Sequence, residues 1–203
     1  MKYQIKGYYF ITDSSLTRNG IIEDIRCALR AGVKIFQYRE KNKSALAMYQ
    51  EGMEIRNLIK DGIFIINDRL DIALAVDADG VHIGQDDLPV SITRRLLGDK
   101  KIIGVTVHSC EQAIEAEKNG ANYLAVSPVF KTATKPDAQS PVGLKVLAEV
   151  RAAVSVPVVA IGGITLENAP SVIKAGADAV CAISAVLKSK DVFTEIQKFL
   201  NLF

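Results

Sequence analysis

Tryptophan is absent from this 203-residue chain, and cysteine occurs only three times, at Cys27, Cys110 and Cys181. An odd number of widely spaced cysteines with no CxxC pair argues against a disulfide framework or a cysteine-based zinc site. Cys181 falls in the apolar run Ala179–Ile183 and reads as a small core residue. Long hydrophobic runs are missing too. No stretch approaches the ~20 apolar residues needed to span a bilayer, so no membrane association is expected. The opening MKYQIKGYYFITD lacks a signal-peptide pattern, which makes the cytoplasm the expected location. Nor is there a surplus of either charge: 25 basic against 23 acidic residues leave a formal +2. A general nucleic-acid binder needs a basic face, so no nucleic-acid partner is expected. Any cationic site must be local. Linkers and low-complexity segments are also lacking, and 49% hydrophobic residues suffice for one large core, so a single domain over 1–203 is expected.

What the sequence does contain is alternation. Apolar runs at Tyr8–Thr12, Val33–Tyr38, Ile63–Ile66, Gly80–Ile83, Lys101–Val105, Asn122–Val126, Pro157–Ile161 and Ala179–Ile183 predict eight strands. Segments with helical spacing separate them. The first, Ile21–Ala31, is closed by Gly32; the second is opened by Ser44 as an N-cap. The last, Asp191–Leu202, lines up Val192, Phe193, Ile196, Phe199 and Leu200 in one stripe. Strict alternation implies a parallel sheet covered by helices, and eight units point to a closed (β/α)8 TIM barrel, with an open doubly wound sheet as the alternative. VPVVAIGGI followed by AGADAVCAIS favours the barrel, because the last two strand ends then form the phosphate site that barrels often carry.

In a barrel the chemistry lies at the carboxyl ends of the strands. The third and fourth strands break into Asn67-Asp68-Arg69 and Gly84-Gln85-Asp86-Asp87. Neighbouring strands lie about 4.8 Å apart, so carboxylates leaving both ends can reach one cation. Two carboxylates without a cation repel; Mg²⁺ accepts one or two of them together with substrate phosphates. Asp68 and Asp87 are the expected ligands, although spacing alone leaves Asp86 open. On composition, helix capping or ion pairs to Arg69 or Arg94 would explain the aspartates as well. Gln37, Arg39 and Lys41 alternate along an extended segment and face one way, which suits a diphosphate. Lys131, Thr132, Thr134 and Lys135 crowd the longest connection, from Ser127 to about Pro141, as in a phosphate-binding lid. Gly162-Gly163 and Ile183-Ser184 offer backbone to a second phosphate. Thr106 and His108 end the fifth strand, His82 reads as packed within the fourth, and Asp77 and Asp79 read as turn residues on the opposite rim.

Taken together, YYFITD, QYREK, INDRLDIALAVDADGVHIGQDDLP, IIGVTVHS, TATKPDAQSPVGL, VPVVAIGGI and AISAV resemble the thiamine phosphate synthases, in order and through nearly the whole chain. The resemblance implies a (β/α)8 barrel enzyme that joins hydroxymethylpyrimidine diphosphate to a thiazole phosphate and releases diphosphate. It implies that Gln37, Arg39, Lys41, Asn67 and Lys135 bind the pyrimidine diphosphate and that Asp68 and Asp87, rather than Asp86, hold Mg²⁺. Thr106 stands where the family usually has serine, near the leaving group. Thr132, Thr134, Gly163, Ile183 and Ser184 would hold the thiazole phosphate. The implied reaction is dissociative, through a pyrimidine carbocation, with Arg39, Lys41, Thr106 and Lys135 as the catalytic set. Two departures stand out: where the family usually reads GPxFPTxTK, this chain has Ser127 for the glycine and Lys131 for the proline. Rival readings are a thiazole tautomerase of the same fold with His108 as base, and a non-catalytic phosphate sensor. The apolar helices would suit a homodimer.

Overall fold

A computed structural model of the chain describes residues 4–132 and 140–203. Its strands are β1 (Gly7–Ile11), β2 (Ile35–Tyr38), β3 (Ile63–Asn67), β4 (Gly80–Ile83), β5 (Ile102–Val107), β6 (Tyr123–Val126), β7 (Val158–Ile161) and β8 (Ala179–Cys181). They pair in sequence order, all parallel, and β8 returns to β1 to close the barrel. The connecting helices are α1 (Ile21–Ala31), α2 (Ala45–Leu58), α3 (Leu70–Ala75), α4 (Val90–Leu97), α5 (Cys110–Lys118), α6 (Gly143–Ala153) and α7 (Ala169–Lys174). Two more, α8 (Ile183–Leu187) and α9 (Val192–Leu200), follow β8. No helix among the described residues is long and apolar enough to cross a membrane.

Both faces of every strand are covered, which is why the strands read as continuous apolar runs. Inward positions such as Ile11, Ile35, Ile65, Val159 and Cys181 fill the barrel, while Phe10, Phe36, Phe64 and Ile103 pack outward against helices. Ser44 accepts a hydrogen bond from Ala47 N, and Gly32 takes the left-handed conformation that ends α1. The structure departs from the sequence reading at the last unit. Ile183 begins α8 instead of ending the eighth strand. From Ala179 to Leu187 the only polar residue is Ser184, so neither a two-residue nor a 3.6-residue period can be distinguished there. β5 also runs two residues further than expected, so Thr106 sits within the strand, paired with Ala125.

The rim opposite the cavity is tied by a device used three times. Arg56, Arg94 and Arg151, near the ends of α2, α4 and α6, reach Asp79, Asn122 and Asp178, each just before an even-numbered strand. Each of those acceptors also takes a backbone N–H from the preceding strand, at Phe64, Ile103 and Val158. The guanidinium groups also cap helix-end carbonyls, as Arg151 does at Val154 O. One side-chain oxygen thus fastens a helix and two strands. Asp178→Ala leaves a strand amide and a cation without their partner, and should cost about 2 kcal/mol in urea denaturation. Specific activity of the folded protein should be retained, and lost activity at unchanged stability would show that this rim does more than hold the barrel together.

Candidate active site

The carboxyl ends of the strands surround a cavity of about 520 Å³. Gln37, Arg39, Lys41, Asn67, Asp68, Asp86, Asp87, Thr106, Thr132, Gly163, Ile183 and Ser184 all line it. Thr134 and Lys135 lie outside the described residues.

The cationic end is built from β1 and β2. Arg39 donates to Asp13 Oδ2 at 2.8 Å, and the carboxylate of Asp13 is almost fully buried. Thr12 Oγ1 accepts from Arg39 N at 2.9 Å. Glu40, equally buried, accepts from Lys41 N and Asn42 N at 2.8 Å each, and these amide bonds help hold its carboxyl below the usual range against the opposing effect of burial. The turn is therefore fixed from beneath, and Lys41 projects from it to Asp68 Oδ2 at 2.6 Å. Asp13 and Glu40 carry no motif that marks them in the sequence. Their signal was position: each closes a strand end, but composition gives no reason to separate them from other surface acids.

The acidic end is built from β3 and β4. Asp68 adopts φ 58°, in the left-handed region that aspartate tolerates better than most residues, with its N–H on His82 O. Asp87 Oδ2 accepts from Gly84 N at 2.7 Å. Burial pushes the Asp87 carboxyl up; the amide of Gly84 opposes this, and the nearby Asp68 carboxylate pushes it further. The two carboxylates thus lie close enough to repel. Asp86 is exposed beside them. Arg69 is engaged by Asp71 and Arg94 by Asn122 and backbone carbonyls, so neither arginine neutralises the pair. Among the described residues no third acid, His or Cys completes a protein-only metal site. That donor set fits Mg²⁺, which takes few carboxylates and fills its shell from phosphate and water. Asn67, 9% exposed, has no side-chain hydrogen bond among the described residues and lines the cavity.

Below these ends, Gln37 donates to Tyr9 OH at 3.0 Å and Thr106 Oγ1 meets His82 Nε2 at 2.8 Å. His82 is buried as expected, but it is also hydrogen-bonded at both nitrogens. Burial pushes its pKa down to about 4, partly opposed by Asp68, which leaves the imidazole neutral near pH 7. His108 donates through Nδ1 to Ser127 O.

At the far side, Gly162 and Gly163 have φ 98° and 64°, and a Cβ on either would collide with the 128–131 segment. A Cβ on Gly163 would lie 2.5 Å from Lys131 O. The glycine pair is therefore required first by the docking of the chain's own loop, through Val129 N on Ile161 O and Phe130 N on Gly162 O. Ile183 and Ser184 open α8, which has no side-chain cap.

A family model described as thiamine monophosphate synthase matches residues 8–186. The chain belongs to this family. It is 51% identical over 196 residues to the thiamine-phosphate synthase of Methanosarcina barkeri, covering 96% of this chain and 89% of the relative. The thiamine-phosphate synthase of Chloroflexus aurantiacus is 48% identical, with 91% and 86% covered. The solved thiamine phosphate pyrophosphorylase from Pyrococcus furiosus superposes with a TM-score of 0.89 at 40% identity, covering 97% and 94%. A 3-hexulose-6-phosphate synthase, at 18% identity and a TM-score of 0.73, shares the barrel alone. As a thiamine monophosphate synthase family member the chain is a transferase of thiamine biosynthesis. Its two departures from the usual loop are accommodated locally. Ser127 is not among the positive-φ residues, so its backbone does not demand glycine, and Lys131 is exposed.

Proposed function

We propose that this chain condenses hydroxymethylpyrimidine diphosphate with a thiazole phosphate, hydroxyethylthiazole phosphate or its carboxylated form, to give thiamine phosphate and diphosphate. The observation that carries the reading is the juxtaposition of Asp68 and Asp87 with Lys41 and Arg39 at one end of a single cavity. Together these groups suit a polyanion held through a divalent cation. Mg²⁺, bound by Asp68 and Asp87, would neutralise the diphosphate and make it a better leaving group. Arg39, preset by Asp13, and Lys41, preset by Glu40, add fixed positive charge where the leaving oxygens gain negative charge. The Asn67 amide, without a side-chain partner among the described residues, is available to the same substrate, and Lys135, which lies outside the described residues, is proposed as a further cation for it.

In the dissociative route the C–O bond breaks first, and the thiazole nitrogen captures the pyrimidine carbocation. Protein then supplies position and charge, with no covalent step of its own. Thr132, Thr134, Gly163, Ile183 and Ser184 would hold the thiazole phosphate on the opposite side, so that the nitrogen faces the carbon left behind. A proton-transfer enzyme would leave the acidic and cationic end without a task. A substrate whose pyrimidine carries a strongly electron-withdrawing substituent should turn over more than about tenfold more slowly, because positive charge builds on that ring. An unchanged single-turnover rate would eliminate the dissociative route.

A further inference from the structure

The polar groups beneath the cavity form one continuous chain. Gln37 Nε2 lies 3.0 Å from Tyr9 OH, Tyr9 OH 2.8 Å from Tyr123 OH, Tyr123 OH 2.9 Å from His82 Nδ1, and His82 Nε2 2.8 Å from Thr106 Oγ1. The members come from β2, β1, β6, β4 and β5 and cross a barrel interior otherwise filled by aliphatic side chains. Packing fixes the path independently of the hydrogen bonds. His82 stacks on Tyr123 at 5.5 Å, and Tyr9 meets Tyr123 edge-on at 5.9 Å. Gly104, paired with Tyr123 on the adjacent strand β5, leaves room for that ring, since a Cβ there would lie 2.0 Å from Tyr123 Cζ.

We propose that His82 is a positioning residue, held by this chain in its Nε2–H form so that Thr106 meets the substrate as a hydrogen-bond donor. A hydroxyl carries one proton and can accept twice, but the buried Tyr9 and Tyr123 hydroxyls have no acceptor for their protons outside this chain among the described residues, so each accepts on one side and donates on the other. Gln37 Nε2 can only donate. Tyr9 therefore donates to Tyr123, Tyr123 donates to His82 Nδ1, and the single ring proton of the neutral imidazole sits on Nε2. It is given to Thr106 Oγ1, whose own proton is left to point into the cavity. Turning the Gln37 amide over would reverse every bond and aim only lone pairs from Thr106 at the ligand. The cavity selects the first direction: a diphosphate ester offers acceptors, and Arg39 and Lys41 face it as donors too. The inference rests on the proposed substrate class for that last step alone. That step chooses the direction of the chain and with it the tautomer expected for His82, whereas the spectrum that reads the tautomer needs no substrate.

The test begins on the protein without substrates. With ¹⁵N-labelled histidine, two-bond proton–nitrogen spectra at neutral pH should show His82 protonated at Nε2 and bare at Nδ1; a His108→Gln sample isolates its signals, since the chain has two histidines. A proton on Nδ1, or a mixture of forms, overturns the proposal. In turnover, His82→Leu should lower kcat roughly tenfold with KM changed less than about threefold. Thr106→Val should do the same, the double variant should be no worse than either, and Thr106→Ser should recover most of the rate. Additive losses, or a loss confined to stability, would contradict the positioning role. If His82→Leu does not fold, Tyr123→Phe takes its place, with the same non-additivity against Thr106→Val expected. A wild-type protein that makes no thiamine phosphate would refute the proposed function while leaving the tautomer result to stand by itself.

Discussion

Asp68→Asn is expected to lower Mg²⁺-dependent turnover more than about a hundredfold, the scale seen when a charge-stabilising group leaves an active site. Asparagine is the informative replacement. Asp68 holds φ 58°, and asparagine tolerates that conformation where alanine would add strain of its own. The charge is removed, the backbone is kept, and Lys41 loses its ion-pair partner on an exposed side chain, a small matter for stability. The variant should therefore unfold within about 1 kcal/mol of wild type and need a higher Mg²⁺ concentration for half-maximal rate. Steady-state rates across a Mg²⁺ titration, beside a denaturation curve, check both parts. Turnover at the wild-type level would remove Asp68 from the site.

Lys41→Ala should also cost on the order of a hundredfold in kcat, but with the opposite signature toward the metal. In the present structure Lys41 Nζ occupies an oxygen of Asp68 at 2.6 Å. Deleting it takes a cation away from the leaving group and relieves Asp68 of a competitor. Half-saturation by Mg²⁺ should then stay the same or fall, while kcat drops. A rise in the Mg²⁺ requirement comparable to that of Asp68→Asn would mean that Lys41 helps to assemble the metal site and does not act on the diphosphate.

The barrel was legible in the sequence because each strand is a short apolar run ending in polar residues, and each helix keeps its own period. Legibility failed where period and composition say nothing. The residues from Ala179 to Leu187 are almost uniformly apolar, and the break between β8 and α8 inside them is set by tertiary packing. The three-fold Arg–Asx device has no sequence signature, because its separations are 23, 28 and 27 residues and its acceptor is aspartate twice and asparagine once. Within the candidate site, strand-end logic brought Gln37, Arg39, Lys41, Asn67 and Asp68 to one place, where the structure has them lining one cavity. Spacing could not choose between Asp86 and Asp87. In three dimensions Asp87 folds back onto Gly84 N and faces Asp68, while its neighbour is exposed. Of the supports under the cations, Asp13 reaches Arg39 between the ends of β1 and β2, a contact no local pattern encodes, while Glu40 accepts from the two amides that follow it, a local bond that composition does not separate from a solvated acid. His82 is packed, as its place in the β4 run implies; that it also joins two hydroxyls follows from the barrel's closure, which brings Tyr123 from β6 against β4 and β1.

The most direct test of the central claim is product formation. Purified protein incubated with hydroxymethylpyrimidine diphosphate, hydroxyethylthiazole phosphate and Mg²⁺ should yield thiamine phosphate and diphosphate in equal amounts, with none formed when either substrate is omitted or the metal is chelated. Folded protein that forms no thiamine phosphate from these substrates, or from the carboxylated thiazole phosphate, would contradict the account.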